Sequence, residues 1–194
     1  ARVLHGAFDH VGSRIALCLD NGLVMLVDSA TGAELLKLAG HSAPVNDCVF
    51  ARESDELLTC GNDRKVIRWD LASGQPIQYL PEHVTPVKRV ALTDSERKIL
   101  TETSDDRLRL FDAASGEPIA EAAGHYFEYA PSEDIIAAVS GNASVIYRGS
   151  DLEELLRLPH DDRVNRARYY GKHAVILTTC NDGTARAFKF PEGR

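Results

Sequence analysis

No stretch of the sequence approaches the roughly eighteen consecutive apolar residues that a helix needs to cross a bilayer. No charged start leads into an apolar, signal-like segment either. Cysteine is scarce and scattered: Cys18, Cys48, Cys60 and Cys180 form no C-x-x-C pair, which excludes the spacing of a zinc site and of a dense disulfide frame. Free thiols in a reducing compartment are expected, and with them an intracellular protein, cytoplasmic rather than nuclear. Also missing are a glycine-rich phosphate loop and a G-x-S-x-G elbow. His5 and His10 flank Asp9, and His160 precedes Asp161-Asp162, but neither spacing converges ligands. No metal and no cofactor are expected.

Basic residues are outnumbered, and unevenly. Residues 1–159 hold 15 Lys and Arg against 25 Asp and Glu, a balance of −10, whereas residues 160–194 hold 7 against 4, a balance of +3. An acidic body lacks the broad basic surface that phosphate neutralisation requires, so nucleic acid is not the expected partner. The basic end, with Arg163, Arg166, Arg168, Lys172 and Arg186, is a candidate patch for an acidic partner or another part of the parent protein.

What the sequence has in abundance is itself. Val27-Asp28, Trp69-Asp70 and Phe111-Asp112 follow one another at 42 residues, and Thr31-Gly32, Ser73-Gly74 and Ser115-Gly116 keep the same spacing. So do Phe8, Phe50 and Leu92, and also His41, His83 and His125. A further copy lies 119 residues after the second: His160 matches His41, Thr178 matches Thr59, Asp182 matches Asp63 and Phe188 matches Trp69. Between them sits a degenerate copy with Tyr147-Arg148 in the Trp-Asp position. Within each copy, short apolar alternations such as Val45, Cys48, Phe50 and Val66, Ile67, Trp69 are separated by Gly, Asn, Asp and Ser. That pattern predicts four short strands per copy. A sheet that small cannot bury both faces alone, so the copies must stack.

The Gly40-His41 and Trp69-Asp70 pairs, set in this period, resemble the WD-repeat β-propeller family. The resemblance implies an all-β fold of about five four-stranded blades, spanning approximately 1–40, 41–82, 83–124, 125–159 (degenerate) and 160–194 (incomplete). Because the frame begins at a first strand and stops after Phe190-Pro191, the chain is expected to be part of a larger propeller of about seven blades.

The resemblance also implies one hydrogen-bonded chain per blade: His41, Thr59, Asp63 and Trp69; His83, Thr101 and Asp105; His160, Thr178 and Asp182. Phe111 and Phe188 supply no indole N–H, so the last two chains are expected to stop one link early. A His beside an Asp and a hydroxyl imitates a catalytic triad. The trio recurs in copy after copy, however, whereas an enzyme needs one reaction centre, so a structural role and no catalysis are expected.

The family's binding rim implies Pro44, Asn46, Asn62, Pro86, Lys88, Ser104, Arg163, Asn165 and Asn181 as partner-facing residues. The implied function is a protein–protein interaction scaffold, a complex subunit that docks proteins, peptides or further blades of its parent. The alternative is a regulatory, sensor or substrate-recruiting domain of a larger enzyme or NTPase.

Overall fold

The computed structural model describes residues 1–93 and 95–190; Pro191, at the end of the last periodic copy, lies outside them. Among the described residues nineteen strands form five antiparallel sheets, each a meander in chain order. The first sheet holds β1 (Val3–Phe8), β2 (Arg14–Leu19), β3 (Leu23–Asp28) and β4 (Glu34–Ala39). The second holds β5 (Val45–Phe50), β6 (Glu56–Gly61), β7 (Val66–Asp70) and β8 (Gln75–Tyr79). The third holds β9 (Val87–Thr93), β10 (Lys98–Thr103), β11 (Arg107–Asp112) and β12 (Pro118–Ala123). The fourth holds β13 (His125–Ala130), β14 (Ile135–Ser140), β15 (Ala143–Arg148) and β16 (Glu154–Pro159). The fifth has three strands among the described residues: β17 (Val164–Tyr170), β18 (Val175–Cys180) and β19 (Ala185–Lys189).

Among the described residues no strand pairing joins one sheet to the next, so the sheets are held together mainly by side chains. Each of the four junctions is an apolar core. Trp69, Leu57 and Ile67 pack on Ala16, Cys18, Leu26 and Leu38 of the first sheet, and Leu58 and Cys60 meet Val90, Ile99 and Phe111 of the third. Leu100 and Leu108 meet Phe127 and Ile136 of the fourth sheet, whose Ile135 and Val139 meet Ala167 and Ile176 of the fifth. Successive side chains on a strand point to opposite faces, so one strand feeds two cores, as β6 does with Leu57 and Leu58. The two outermost faces lack such cover: Phe8 is 62% exposed and Leu177 41%.

The repeated Asp and Gly close the turn from third to fourth strand. Asp28 accepts bonds from the Thr31 N–H (2.8 Å) and hydroxyl (2.7 Å), Asp70 from the Ser73 hydroxyl (2.6 Å), and Asp112 from the Ser115 N–H (2.8 Å) and hydroxyl (3.0 Å). These bonds hold all three carboxyls below the usual range. Gly32, Gly74 and Gly116 follow with φ of 71°, 70° and 76°, a region that only glycine enters freely. In the fourth sheet Leu152 takes the corresponding turn with φ of 59°.

Candidate functional site

The second sheet holds an unbroken polar chain in its apolar junction. The indole N–H of Trp69 donates to Thr59 Oγ1 (2.9 Å), which lies 2.8 Å from His41 Nε2, while His41 Nδ1 lies 2.9 Å from both oxygens of Asp63. One proton arrangement satisfies every member: His41 Nδ1–H donates to Asp63, its Nε2 accepts from the Thr59 hydroxyl, and Thr59 accepts the indole. Burial depresses the His41 pKa and outweighs the raising effect of Asp63, in keeping with this neutral imidazole. Asp63 also accepts from the backbone N–H of Ser42 (3.0 Å) and Lys65 (3.2 Å), tying the entry loop to the β6–β7 turn.

The third and fifth sheets depart from the expected arrangement. His83 Nε2 does reach Thr101 Oγ1 (3.0 Å), but the expected link from His83 to Asp105 is absent. Asp105 instead takes Arg109 Nη2 (3.0 Å) and the Thr103 hydroxyl (2.5 Å). In the fifth sheet His160 bonds neither Thr178 nor Asp182; its Nδ1 lies 3.1 Å from its neighbour's carbonyl, Pro159 O. Asp182 takes Arg186 Nη2 (2.9 Å) and the Thr184 hydroxyl (2.6 Å), and Thr178 reaches only Arg186 O (3.5 Å).

The cause is one position in the repeat. Two residues before the Trp or Phe stand Ile67, Arg109 and Arg186. A guanidinium on the same strand face captures the aspartate in a charge-assisted bond that a neutral imidazole cannot match. The imidazoles then pack on the phenyl rings, His83 edge-on to Phe111 (5.3 Å) and His160 stacked on Phe188 (5.7 Å). Burial first, and then the charge of Arg109, push the His83 pKa down to about 4. Asp105 lies well below the carboxylate range, its bonds from Arg109 and Thr103 outweighing its burial. In the fourth sheet Ile136 and Tyr147 pair as Leu57 and Trp69 do, so Ala138 stands in the place of Thr59; the Tyr147 hydroxyl turns to Ala123 O (2.7 Å).

The candidate partner-facing residues gather where entry loops meet the turns after second strands. Asn62 N–H donates to Pro44 O (2.8 Å), Ser104 N–H to Pro86 O (2.9 Å) and Asn181 N–H to Arg163 O (2.9 Å), the same tie in three sheets. Asn62, Lys88, Ser104, Arg163, Asn165 and Asn181 are exposed; Pro44, Asn46 and Pro86 are half-buried. Asn46 has a second role, donating to Asn62 Oδ1 (2.8 Å) and to Val87 O of the next sheet (2.8 Å). Asp106 of the third sheet lies 3.5 Å from Lys88 Nζ and 3.9 Å from His125 Nδ1 of the fourth, so these side chains share one end of the molecule.

Residues 32–70 match the WD domain, G-beta repeat family, a stretch that runs from β4 of the first sheet through β7 of the second and includes His41, Thr59, Asp63 and Trp69. The chain carries a WD repeat. Its five sheets of three or four antiparallel strands are consistent with a WD-repeat propeller. No curated protein matches the chain. The matched repeat straddles two sheets, so the WD unit itself ties one blade to the next.

The basic residues of the last blade are less available than their count suggests. Arg168 pairs with Glu128 (2.7 Å), Arg186 with Asp161 and Asp182 (2.9 Å each), and Arg166 lies over the Tyr126 ring (5.2 Å). Arg166 and Arg168 of the expected cationic patch therefore lie at the seam between the fourth and fifth blades, whereas Arg186 is paired within the fifth. Sequence reasoning also missed Asp47, buried on β5, which accepts the Val90 N–H of the next blade (3.0 Å) and meets His5 Nε2 of the previous one (3.0 Å). Its only sequence signal was a carboxylate inside the apolar alternation between Val45 and Cys48. Among the described residues no cluster of three His, Cys, Asp or Glu could hold a metal, and no helix is long and apolar enough to cross a membrane.

Proposed function

We propose that this chain is a non-catalytic scaffold, docking proteins or peptides on the end of the blades that carries Asn62, Lys88, Ser104, Arg163, Asn165 and Asn181. WD repeats commonly mediate protein–protein interaction. The observation that carries the reading is the tie repeated in three blades, from the turn after the second strand to the loop before the first. It fixes both backbones and leaves the side chains outward, which lowers the ordering cost of binding. The His, Thr and Asp sets serve the frame: in the second blade the hydroxyl is saturated by Trp69 and His41, and in the other two Arg109 and Arg186 neutralise the aspartate. In the third blade the Thr101 hydroxyl does lie beside His83, but it is fully buried and out of reach of a substrate. Cytoplasmic work as a complex subunit belongs to the same reading.

The test is affinity purification from the source cells with the unaltered chain, with Lys88→Glu plus Arg163→Glu, and with Lys37→Glu on an outer strand. Selective loss of the same partners in the double variant supports the proposal. An identical partner set in all three overturns it.

A further inference from the structure

The second and third blades place different rings at one frame position, and the difference leaves a hole. In the second blade the indole of Trp69 reaches Gly40, where an added Cβ would lie 2.8 Å from Trp69 Cη2 and 3.4 Å from Cζ2. One period later Phe111 replaces Trp69 and Glu82 replaces Gly40. A phenyl ring is shorter than an indole by the fused ring, and Glu82 turns its carboxylate to Arg64 (2.5 Å). A cleft of about 340 Å³ opens against Phe111, walled by Val84, Pro118 and Ile119. Val84 is 79% exposed and Ile119 41%, so the mouth is apolar and open to solvent.

The polar groups of the lining favour a hydrogen-bond donor. Its one guanidinium, Arg109, is held by Asp105 (3.0 Å) and Glu121 (2.9 Å). The carboxylates of Glu82 and Glu121, each bound to an arginine, keep lone pairs that can accept a further bond, and His83, 4% exposed, has an Nδ1 with no partner among the described residues. Such a lining suits a flat apolar ring that carries an N–H.

We propose that this cleft binds the indole of a tryptophan presented by a partner peptide, seated over Phe111 in the space that the six-membered ring of Trp69 takes one period earlier. The site lies beside the outer strand of the third blade, on the entry loop that leads to Pro86 and Lys88, and goes beyond the reading proposed above.

The experiment is a titration of the 194-residue chain with N-acetyltryptophanamide, followed by NMR. Saturable shifts at Val84, Phe111 and Ile119 are expected, with a dissociation constant on the order of 1 mM, as suits one side chain without its peptide. N-acetylglycinamide should leave these signals in place. Phe111→Trp fills the cleft with the chain's own indole and should weaken binding about tenfold. Ile119→Glu, on an exposed strand, should do likewise and covers the case in which the first variant does not fold. Lys88→Glu and Arg163→Glu should bind the probe as the unaltered chain does, so that failure of this site and failure of the docking end are told apart. Shifts that do not saturate, that centre elsewhere, or that persist in Ile119→Glu overturn the proposal.

Discussion

Replacing Trp69 with phenylalanine gives the second blade the residue that the third and fifth already carry at that position. The change removes one hydrogen bond, indole N–H to Thr59 Oγ1, worth about 1 kcal/mol net. Thr59 keeps His41 Nε2 as partner, so the larger penalty for an orphaned buried group does not arise. Phenylalanine buries up to about 50 Å² less than tryptophan, or about 1 kcal/mol of apolar transfer. The void beside Gly40 adds up to about 1 kcal/mol more, since that backbone cannot close on a shorter ring. The total is about 2 to 3 kcal/mol, against about 3 to 5 for Trp69→Ala. In urea, with a slope of roughly 2 to 3 kcal/mol per molar, the phenylalanine variant should unfold about 1 M earlier. A midpoint within about 0.2 M of the unaltered chain would refute the reasoning, because it would mean that neither bond nor ring is part of the blade junction.

Thr59→Val strands both the Trp69 N–H and His41 Nε2, and should cost roughly 2 to 4 kcal/mol. Thr178→Val removes only a 3.5 Å contact with Arg186 O and should cost well under half as much; equal urea midpoints for the two would contradict the graded chains. Stability should also fall as pH drops from about 6.5 to 4. Burial depresses His41, His83 and His125, so each is neutral in the fold and takes up its proton sooner in the unfolded chain. Their contribution is full above pH 6.5 and is lost as pH falls through that window, at most about 3 kcal/mol for His83. A flat urea midpoint across the window would count against it. Arg109→Met removes the nearby positive charge and should move the His83 titration, followed by NMR, upward from about 4; an unmoved titration would show that Arg109 does not govern this imidazole.

The period of the sequence carries the fold because each copy faces the same problem: four strands too few to bury two faces. Val45, Cys48 and Phe50, or Leu57, Thr59 and Trp69, therefore recur as interior positions, and their alternation is readable without coordinates. The second blade's polar chain was legible for the same reason, since all four members lie within the stretch that matches the repeat. The third and fifth chains were not. Their fate turns on Arg109 and Arg186, which the frame marks only as a strand position held by isoleucine in the second blade. Whether a carboxylate accepts from histidine or from arginine depends on distances between side chains across a turn, and these have no signature in spacing. The shrinking of the basic cluster has a similar origin, because Glu128 lies 40 residues from Arg168 in sequence and 2.7 Å from it in space.

The proposed scaffold function puts partners at the end of the blades where Asn62, Ser104 and Asn181 face outward. The most direct measurement places a photo-crosslinking amino acid at each of these positions, and at Lys37 on an outer strand, in the source cells. Shared protein adducts from Asn62, Ser104 and Asn181, with none from Lys37, are the predicted result. Adducts from Lys37 alone would contradict the claim.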